Sequence, residues 1–215
     1  MKIIVCIKQV PDTTEVKLDP KTGRLIRDGV PSIINPDDKN ALEEALRIKD
    51  ENPDTTVTVV SMGPPQADVA MREALAMGAD EAILISGREF GGSDTWATSY
   101  IIATAIKKIP DYDIIFCGRQ AIDGDTAQVG PQIAEQLNIP QITYVQKLDI
   151  EGDKVIVQRQ LEDGYTVVEA KMPVLLTAIK ELNTPRYMTP KGIFEAYNKT
   201  VQVWGFNDVP VDAEK

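Results

Sequence analysis

Short, wholly apolar segments alternate with amphipathic stretches along most of the chain, and this alternation restricts the possible folds most strongly. Strands that are apolar on every residue are typical of parallel sheets covered on both faces, and the stretches between them supply the covering helices. The segments begin near Ile3, Val57, Ile83 and Ile114, with a further one at Ile142 or Val174. The sequence therefore predicts an α/β fold with a doubly wound, mainly parallel sheet and flanking helices, a Rossmann-like architecture whose ligand crevice lies at the carboxyl ends of the strands.

Between residues 145 and 170 the pattern changes to alternating polar and apolar residues, with turn residues at 151–153 and 163–164. This period of two predicts an antiparallel ribbon. A last apolar strand is predicted over residues 174–178, so the ribbon is interpreted as an excursion from one domain that spans residues 1–215. A surface hairpin is predicted over residues 16–30.

Charge and residue usage exclude several classes of function. The 215 residues include 33 acidic and 23 basic side chains, giving a net charge of −10 that disfavours nucleic acid and acidic membrane surfaces as partners. No apolar run is long enough to span a membrane, and the apolar stretch at the amino end is too short for a signal peptide. A cytoplasmic protein is therefore expected.

The chain contains no histidine, which removes the common catalytic triads, the usual zinc ligand and the commonest general base. No catalytic side chain and no metal site are predicted, and any chemistry must come from a cofactor. Cys6 and Cys117 lie near the ends of predicted buried strands without a CxxC neighbour, which indicates packing thiols.

The loop over residues 118–130 follows a buried strand at residues 114–117 and precedes a helical pattern. Gly118, Gly124 and Gly130 would let the backbone approach a ligand, and a helix N-terminus favours an anion. The spacing matches neither GxGxxG nor the Walker motif. An ordinary helix entry is an equal alternative, with Asp125 as N-cap and Gln128 completing a capping box. Pro131 requires that the first turn be distorted or that the regular helix begin at Pro131 itself.

The motif GRQAIDGDTAQVGP in this loop closely resembles the nucleotide-binding motif of the beta subunit of electron transfer flavoproteins. Further segments resemble the same family in order along nearly the whole chain: IIVCIKQVPDT, INPDDKNALEEALRIK, VSMGPPQA, REALAMGADEAILI and LNTPRYMTPKGI. The resemblance implies an electron carrier that forms a heterodimer with an alpha subunit holding a second flavin.

Within that family, one branch keeps AMP in this subunit, and another keeps FAD, which accepts hydride from NADH and bifurcates the electron pair. Gly124 and Thr126, together with SMGPPQA and SDTWATS, resemble the FAD branch. The implied electron acceptors are an acyl-CoA dehydrogenase, reached through the alpha-subunit flavin, and a low-potential carrier, ferredoxin or flavodoxin.

The resemblance also implies which residues bind the cofactor, namely Cys6, Asn35, Asp37, Ser61, Met62, Gly63, Asp94, Thr95, Gly118, Arg119, Ala121, Asp123, Gly124, Asp125, Thr126, Ala127, Gln128, Val129 and Gly130. Asn35 is also expected to cap a helix beginning at Pro36, and either Ser93 or Asp94 to cap the helix that follows it. Arg119 and Asp94–Thr95 are candidates for tuning the flavin, and Arg119 fits a structural ion pair equally well.

Residues 182–193 resemble the loop that anchors this subunit on its dehydrogenase. Asn183, Pro185, Arg186 and Tyr187 match the family pattern LNxPRY, but Pro190 stands near the position where the AMP branch places a leucine. Tyr187, Met188 or Ile193 are therefore expected to provide the apolar anchor. The alternative is a loop packed on its own domain.

Family members usually continue for several tens of residues as an arm around the alpha subunit, and this arm is expected to be absent from a chain ending at Lys215. An alternative from another class is an ATP-binding regulatory protein of the stress-protein type, which shares this kind of sheet and needs no flavin.

Overall fold

The computed structural model describes residues 1–12 and 31–212 of the chain. The hairpin predicted over residues 16–30 lies outside these residues. The strands of the described part are β1 (Lys2–Cys6), β2 (Gln9–Pro11), β3 (Ser32–Ile34), β4 (Thr56–Met62), β5 (Glu81–Ile85), β6 (Ile114–Gly118), β7 (Gln141–Glu151), β8 (Lys154–Leu161), β9 (Gly164–Lys171), β10 (Val174–Ala178) and β11 (Val201–Trp204). The α-helices of the same residues are α1 (Pro36–Glu51), α2 (Asp68–Met77), α3 (Thr95–Ile106), α4 (Val129–Leu137) and α5 (Pro190–Asn198).

The main sheet has the strand order β11-β5-β4-β1-β6-β10-β7-β8-β9. Every neighbouring pair from β11 to β7 is parallel, and the pairs β7–β8 and β8–β9 are antiparallel. The short strands β2 and β3 form a separate antiparallel pair. The predicted fold class is confirmed, and the predicted ribbon is the continuation of the main sheet beyond β7.

Helices cover both faces of the parallel part of the sheet. Ile3, Val5 and Phe116 point to one face and belong to the core beneath α1 and α2, whereas Ile4 and Ile115 point to the other face, beneath α3 and α4. This division follows from the alternation of side chains along a strand. Both sides of the central strands are apolar because both sides are buried.

The chain reverses its direction across the sheet between β1 and β6. It runs outward from β1 through β4 to β5, and then crosses over to β6 on the opposite side of β1. Loops that leave the carboxyl ends of β1 and β6 therefore diverge, which opens a crevice at that edge of the sheet. The predicted nucleotide loop begins at this crevice, since β6 ends at Gly118.

One prediction about the carboxyl-terminal part is wrong. Residues 174–178 are not the last strand, because β11 pairs in parallel with β5 at the sheet edge. Between these two strands lies helix α5, which begins at Pro190 with Thr189 as its N-cap. This helix packs on α2, where the Arg72 guanidinium donates hydrogen bonds to the carbonyls of Ala196 and Lys199, both at 2.8 Å.

Candidate functional site

A cavity of about 1310 Å³ lies at the carboxyl ends of the parallel strands. The loops after β1, β4, β5 and β6 line it, as do the first turns of α3 and α4 and the edge-strand residue Val203. Most of the residues predicted to bind a cofactor line this cavity: Cys6, Met62, Gly63, Asp94, Thr95, Gly118, Arg119, Ala121, Gly124, Asp125, Thr126, Ala127, Gln128, Val129 and Gly130. The fold therefore brings distant sequence segments together around one space.

Four predicted residues are not among the cavity-lining side chains: Asn35, Asp37, Ser61 and Asp123. Conversely, sequence reasoning missed several residues that line it, including Lys8, Asp38, Arg88, Phe90 and Ile102. Two of these residues could have been found from their positions in the sequence. Asp38 follows Asp37 in the same helical turn, and Arg88 lies in the loop after the predicted strand β5.

The entry into α4 differs from the predicted capping box. Asp125 has a left-handed backbone, φ 57°, and its N–H donates to the carbonyl of Ala121 at 2.8 Å, so Asp125 belongs to a turn within the loop. The N-cap position is Gln128, whose side chain makes no capping hydrogen bond. Residues at the start of a helix have no intrahelical acceptor for their N–H groups, which leaves the first turn of α4 open to an anion.

Pro131 is the third residue of α4 and needs neither a distorted turn nor a later helix start. The N–H that proline lacks would have had no intrahelical partner in the first turn. The first helical hydrogen bond runs from the N–H of Gln132 to the carbonyl of Gln128, at 3.0 Å. Both alternatives considered for Pro131 are therefore wrong.

The three glycines of the loop have different reasons to be glycine. A Cβ at Gly118 would lie 2.7 Å from the backbone nitrogen of Asp38, and one at Gly130 would lie 3.0 Å from Cγ2 of Thr177 on β10. Packing within the protein therefore accounts for these two. A Cβ at Gly124 would meet no atom within 4 Å, so Gly124 alone of the three faces open space.

Side chains from the amino-terminal part hold the loop in place. Asn35 Oδ1 accepts a hydrogen bond from the N–H of Ile122 at 3.1 Å, and Asn35 Nδ2 donates to the carbonyl of Gln120 at 2.8 Å. The Lys8 ammonium lies 2.6 Å from Oδ1 of Asp123. Asn35 occupies the N-cap position of α1, but its side chain makes no capping hydrogen bond. The expectation that its side chain caps α1 is wrong, because this buried amide supports the loop instead.

The Asp38 carboxylate links the ends of the two strands between which the chain reverses direction. Its Oδ2 accepts from the N–H of Lys8 at 2.8 Å, and its Oδ1 accepts from the N–H of Gly118 at 2.9 Å. Burial raises the pKa of Asp38 to about 7, although hydrogen bonds from Asn35, Lys8 and Gly118 oppose the rise. The group therefore exchanges its proton near neutral pH.

Arg119 forms an ion pair by distance, with Nε 3.4 Å from Oδ2 of Asp37. Neither of these buried atoms has a hydrogen bond, so the geometry of the pair is incomplete. Burial raises the pKa of Asp37, and the positive charge of Arg119 opposes that rise. The structural ion pair expected as one alternative is present, and Arg119 also lines the cavity.

The amino termini of α3 and α4 meet at the cavity. Asp94 is the cap of α3, because its carboxylate accepts from the N–H of Ala97 at 2.9 Å, whereas Ser93 donates to the carbonyl of Phe90. The Thr95 hydroxyl donates to Oε1 of Gln128 at 2.9 Å and so joins the two helix starts. The negative side chain at α3 and the absence of one at α4 make the start of α4 the better anion site.

Cys6 and Cys117 are buried free thiols on the adjacent strands β1 and β6. A hydrogen bond with Cys6, together with burial, raises the pKa of the Cys117 thiol well above its usual value. Such thiols are unreactive, in line with a packing role. Among residues 1–12 and 31–212, no group of His, Cys, Asp and Glu side chains is arranged to hold a metal ion.

The residues predicted to contact a dehydrogenase divide into two groups. Arg186 makes a two-pronged ion pair with Glu43 on α1, with Nε–Oε2 2.8 Å and Nη2–Oε1 3.0 Å, and its Nη2 also contacts Asp50 at 2.7 Å. Asn183 donates to the carbonyl of Asn40 at 3.0 Å. These polar residues fasten the segment to α1.

The apolar residues of this segment face outward. Tyr187 is 95% exposed, and Met188 and Ile193 are also exposed. Phe194 and Tyr197 on α5 extend the same kind of surface, although sequence reasoning did not single them out. The segment is thus fixed on the domain by its polar side chains while its larger apolar side chains remain uncovered. No helix of the described chain is both long and apolar enough to cross a membrane.

Comparison with known proteins finds relatives that match nearly the whole chain. The family described as "Electron transfer flavoprotein domain" matches residues 22–209. The chain is 68% identical over 213 residues to "Electron transfer flavoprotein subunit beta" of Thermoanaerobacterium thermosaccharolyticum, covering 99% of this chain and 81% of the relative.

Two further relatives carry names of assemblies. "Caffeyl-CoA reductase-Etf complex subunit CarD" of Acetobacterium woodii is 61% identical over 214 residues, covering 100% of this chain and 82% of the relative. "Acryloyl-CoA reductase electron transfer subunit gamma" of Anaerotignum propionicum is 56% identical over 207 residues, covering 94% of this chain and 77% of the relative.

Proposed function

Because the chain belongs to the electron transfer flavoprotein family and is a beta subunit of it, we propose that its cavity binds the ADP half of FAD. Beta subunits of this family pair with an alpha subunit. Membership of the family also removes the alternative of an ATP-binding stress-type regulator. The two branches of the family differ in whether this subunit holds FAD or AMP.

The size of the cavity is the observation that carries the choice of FAD. Its volume of about 1310 Å³ exceeds the roughly 300–1,000 Å³ that is usual for pockets of drug-sized ligands. AMP is a ligand of that smaller class, whereas FAD is a dinucleotide with a second ring system. The cavity extends from the start of α4 to Arg88 in the loop after β5, and Gly124 leaves its wall open between them.

The charges along the cavity suit a diphosphate. The start of α4 has no capping side chain, and Arg119 lines the cavity while its ion pair with Asp37 has an incomplete geometry. Arg88 lines the same cavity and forms no ion pair with any residue of the described chain. In a protein of net charge −10, cations without a full set of acidic partners are favourable places for phosphate oxygens.

We propose NADH as the electron donor and bifurcation as the outcome, with ferredoxin or flavodoxin as the low-potential acceptor. The flavin supplies the chemistry, since a flavin can accept hydride and release electrons singly, and the chain supplies binding and orientation. Arg119 is the residue best placed to tune the cofactor. Asp94 and Thr95 are less free to do so, because they cap α3 and bind Gln128.

An acyl-CoA dehydrogenase is the proposed second acceptor, reached through the alpha subunit. In support, two relatives have names that refer to reductases of CoA thioesters. The docking surface proposed here consists of Tyr187, Met188 and Ile193, held in position by Asn183 and Arg186 with Pro185 between them. Exposed aromatic and aliphatic residues on a fastened segment are typical anchors of an interface.

Cofactor content tests the proposal directly. The chain copurified with its alpha subunit is denatured, and the released FAD and AMP are counted per heterodimer. Two molecules of FAD without AMP are expected, and one FAD with one AMP would place the protein in the other branch. Gly124→Val should lower the FAD count, because its side chain would enter the open space. Gly205→Val is the matched control, since a Cβ there meets only ordinary contacts, the nearest at 3.7 Å, outside the cavity.

The donor is tested by anaerobic mixing of the purified heterodimer with NADH. We expect bleaching of the flavin absorbance within the time of catalytic turnover. Flavins that stay oxidised with NADH but accept electrons from a reduced dehydrogenase would contradict NADH oxidation while leaving the role of electron carrier intact.

A further inference from the structure

We propose that Asp38 is a positioning residue for the bound nucleotide, whose ionised carboxylate holds together the two loops that enclose the cavity and whose protonation weakens nucleotide binding. The proposal rests on the proposed nucleotide site but goes beyond it, because it assigns a role to a proton. Asp38 was not among the residues predicted from the sequence, and its side chain forms part of the cavity wall.

The first observation is the place of the two hydrogen bonds. β1 and β6 are neighbouring strands, and the chain turns in opposite directions after them. The Asp38 carboxylate accepts the N–H of Lys8, just after β1, with one oxygen and the N–H of Gly118, the last residue of β6, with the other. One side chain thus fixes the separation of two diverging loops at the edge where ligands bind in such sheets.

The second observation is how closely the loop fits this carboxylate. A Cβ at Gly118 would overlap Oδ1 of Asp38 and would lie 2.7 Å from its backbone nitrogen. The loop that starts at Gly118 is also held farther along, where Lys8 pairs with Asp123. A change in the position of the Asp38 oxygens must therefore move Lys8, Gly118 or both, and with them the wall of the cavity.

The third observation is that, within residues 1–12 and 31–212, no cation compensates the buried charge. The Lys8 ammonium turns to Asp123, and Arg119 lies next to Asp37 rather than Asp38. The remaining ionisable neighbours are Asp37, on the same helix, and the Cys117 thiol on β6, which its raised pKa keeps protonated. Asp37 is of the same sign and opposes ionisation.

These contacts explain why the proton matters. An ionised carboxylate accepts hydrogen bonds through both oxygens, whereas a protonated one turns an O–H toward one of the two N–H groups. The O–H of Asp38 and the N–H of Lys8 or Gly118 are then two donors facing each other, and their repulsion moves one of the two loops away from Asp38. Burial places the pKa of Asp38 at about 7, so the change occurs in the neutral range. The expected sign is tighter nucleotide binding above this pH and weaker binding below it.

The test uses the heterodimer in which the alpha subunit keeps its flavin and the cavity of this chain is stripped of nucleotide, and it measures the dissociation constants of FAD and of AMP by fluorescence and calorimetry from about pH 5.5 to pH 8.5. For the wild type, the affinity should fall toward acidic pH, by as much as about tenfold for each pH unit below the pKa. For Asp38→Asn, the affinity for FAD should be at least about tenfold lower at pH 8.5 and nearly independent of pH, because the amide presents a donor at every pH. The monoester phosphate of AMP titrates at about pH 6, so for AMP the pH dependence should be weaker than in the wild type rather than absent.

Glu44→Gln is the matched control. Glu44 is a buried carboxylate on the same helix whose pKa is also raised by burial, but it is bound by Asn183 at 2.9 Å and lies outside the cavity. Its variant should keep the wild-type affinity and pH profile. A thermal melt of each variant shows whether it is folded, and the wild-type pH profile tests the proposal even if Asp38→Asn does not fold.

A wild-type affinity that is flat across this pH range would overturn the role of Asp38, as would an Asp38→Asn variant that binds like the wild type at pH 8.5. Failure of the proposed function looks different. If FAD does not bind, and AMP binds with a pH dependence that is weaker in Asp38→Asn than in the wild type, the FAD assignment is contradicted and the positioning role is supported. FAD that binds with an affinity independent of pH would support the FAD assignment and contradict the positioning role of Asp38.

Discussion

Gly118→Ala and Gly124→Ala make the same chemical change at two positions of one loop, and the structure predicts opposite consequences for stability. At Gly118 the added Cβ would lie 2.7 Å from the nitrogen of Asp38 and 2.8 Å from the carbonyl carbon of Asp37, and it would overlap the Asp38 carboxylate. The first two atoms are backbone of the first turn of α1, which cannot rotate away. At Gly124 the methyl group meets nothing within 4 Å.

The expected loss at Gly118 has two parts. Overpacking of a buried position costs about 1–3 kcal/mol. Displacement of the Gly118 N–H from the Asp38 carboxylate adds about 1.5–3 kcal/mol, because a hydrogen bond to a charged group is lost. Relaxation will reduce the sum, so we expect the free energy of unfolding to fall by about 3 kcal/mol or more. For a chain of this length that corresponds to a decrease in Tm of roughly 6–12 °C.

Gly124→Ala should leave the Tm unchanged or slightly higher. Its backbone φ is not in the positive range, so alanine adopts it without strain, and the substitution restricts the unfolded chain by about 0.4–1 kcal/mol. The measurement is thermal unfolding by circular dichroism, supported by urea denaturation at 25 °C. If the Tm of Gly118→Ala lies within about 2 °C of that of Gly124→Ala, the close contact between this loop and α1 is not real and the reasoning fails.

Three further predictions concern single side chains. Arg186→Ala should lower the free energy of unfolding by about 2 kcal/mol, because it leaves the buried Glu43 without its partner. Lys191→Ala breaks an exposed ion pair and should change the free energy of unfolding by less than about 0.5 kcal/mol. Equal urea midpoints for the two variants would contradict this prediction. Asp94→Ala should cost about 1 kcal/mol by removing the cap of α3, and an unchanged Tm would show that the cap contributes nothing. Folding raises the pKa of Asp38 from 3.8 to about 7, so the native state binds more protons than the unfolded state between these pH values. Raising the pH from about 5 to about 7.5 should therefore lower the free energy of unfolding by roughly 2–3 kcal/mol through this group. Asp38→Asn should abolish that component, and an identical slope of unfolding free energy against pH in the variant would refute the assignment.

The parallel strands could be predicted from the sequence because they are buried on both faces. Every residue of β6 and of β10 is buried, and the runs at residues 114–117 and 174–176 are wholly apolar. β11 escaped prediction for the opposite reason. It pairs only with β5, and Gln202 and Val203 are exposed, so its four residues do not form a continuous apolar run.

The details of the nucleotide loop could not be predicted because contacts distant in sequence determine them. Asp125 and Gln128 have the spacing of a capping box, but hydrogen bonds from Asn35 to the loop and the pair of Lys8 with Asp123 shape the backbone before α4, and Asp125 takes a left-handed conformation. Local propensity is a weak guide where such contacts compete with it.

Asp38 shows the same limit for the candidate site. Asp37 and Asp38 occupy successive positions in the first turn of α1, and nothing in their neighbours distinguishes them. The family resemblance named Asp37, but the fold turns Asp37 toward Arg119 and Asp38 toward the cavity wall. Only the position of α1 relative to β1 and β6 decides which of the two carboxylates faces the gap between the strands.

The strand order also has a consequence for how the chain is made. β1 lies in the middle of the sheet, between β4 and β6, although β6 is not synthesised until residue 118, and β6 itself waits for β10. A growing chain therefore carries an unpaired edge on β1 during roughly half of its synthesis, and such edges invite pairing with other chains. Asp38 is made early, but one of its two partners arrives 80 residues later. The cavity wall therefore cannot be completed until Gly118 and the loop after it have left the ribosome.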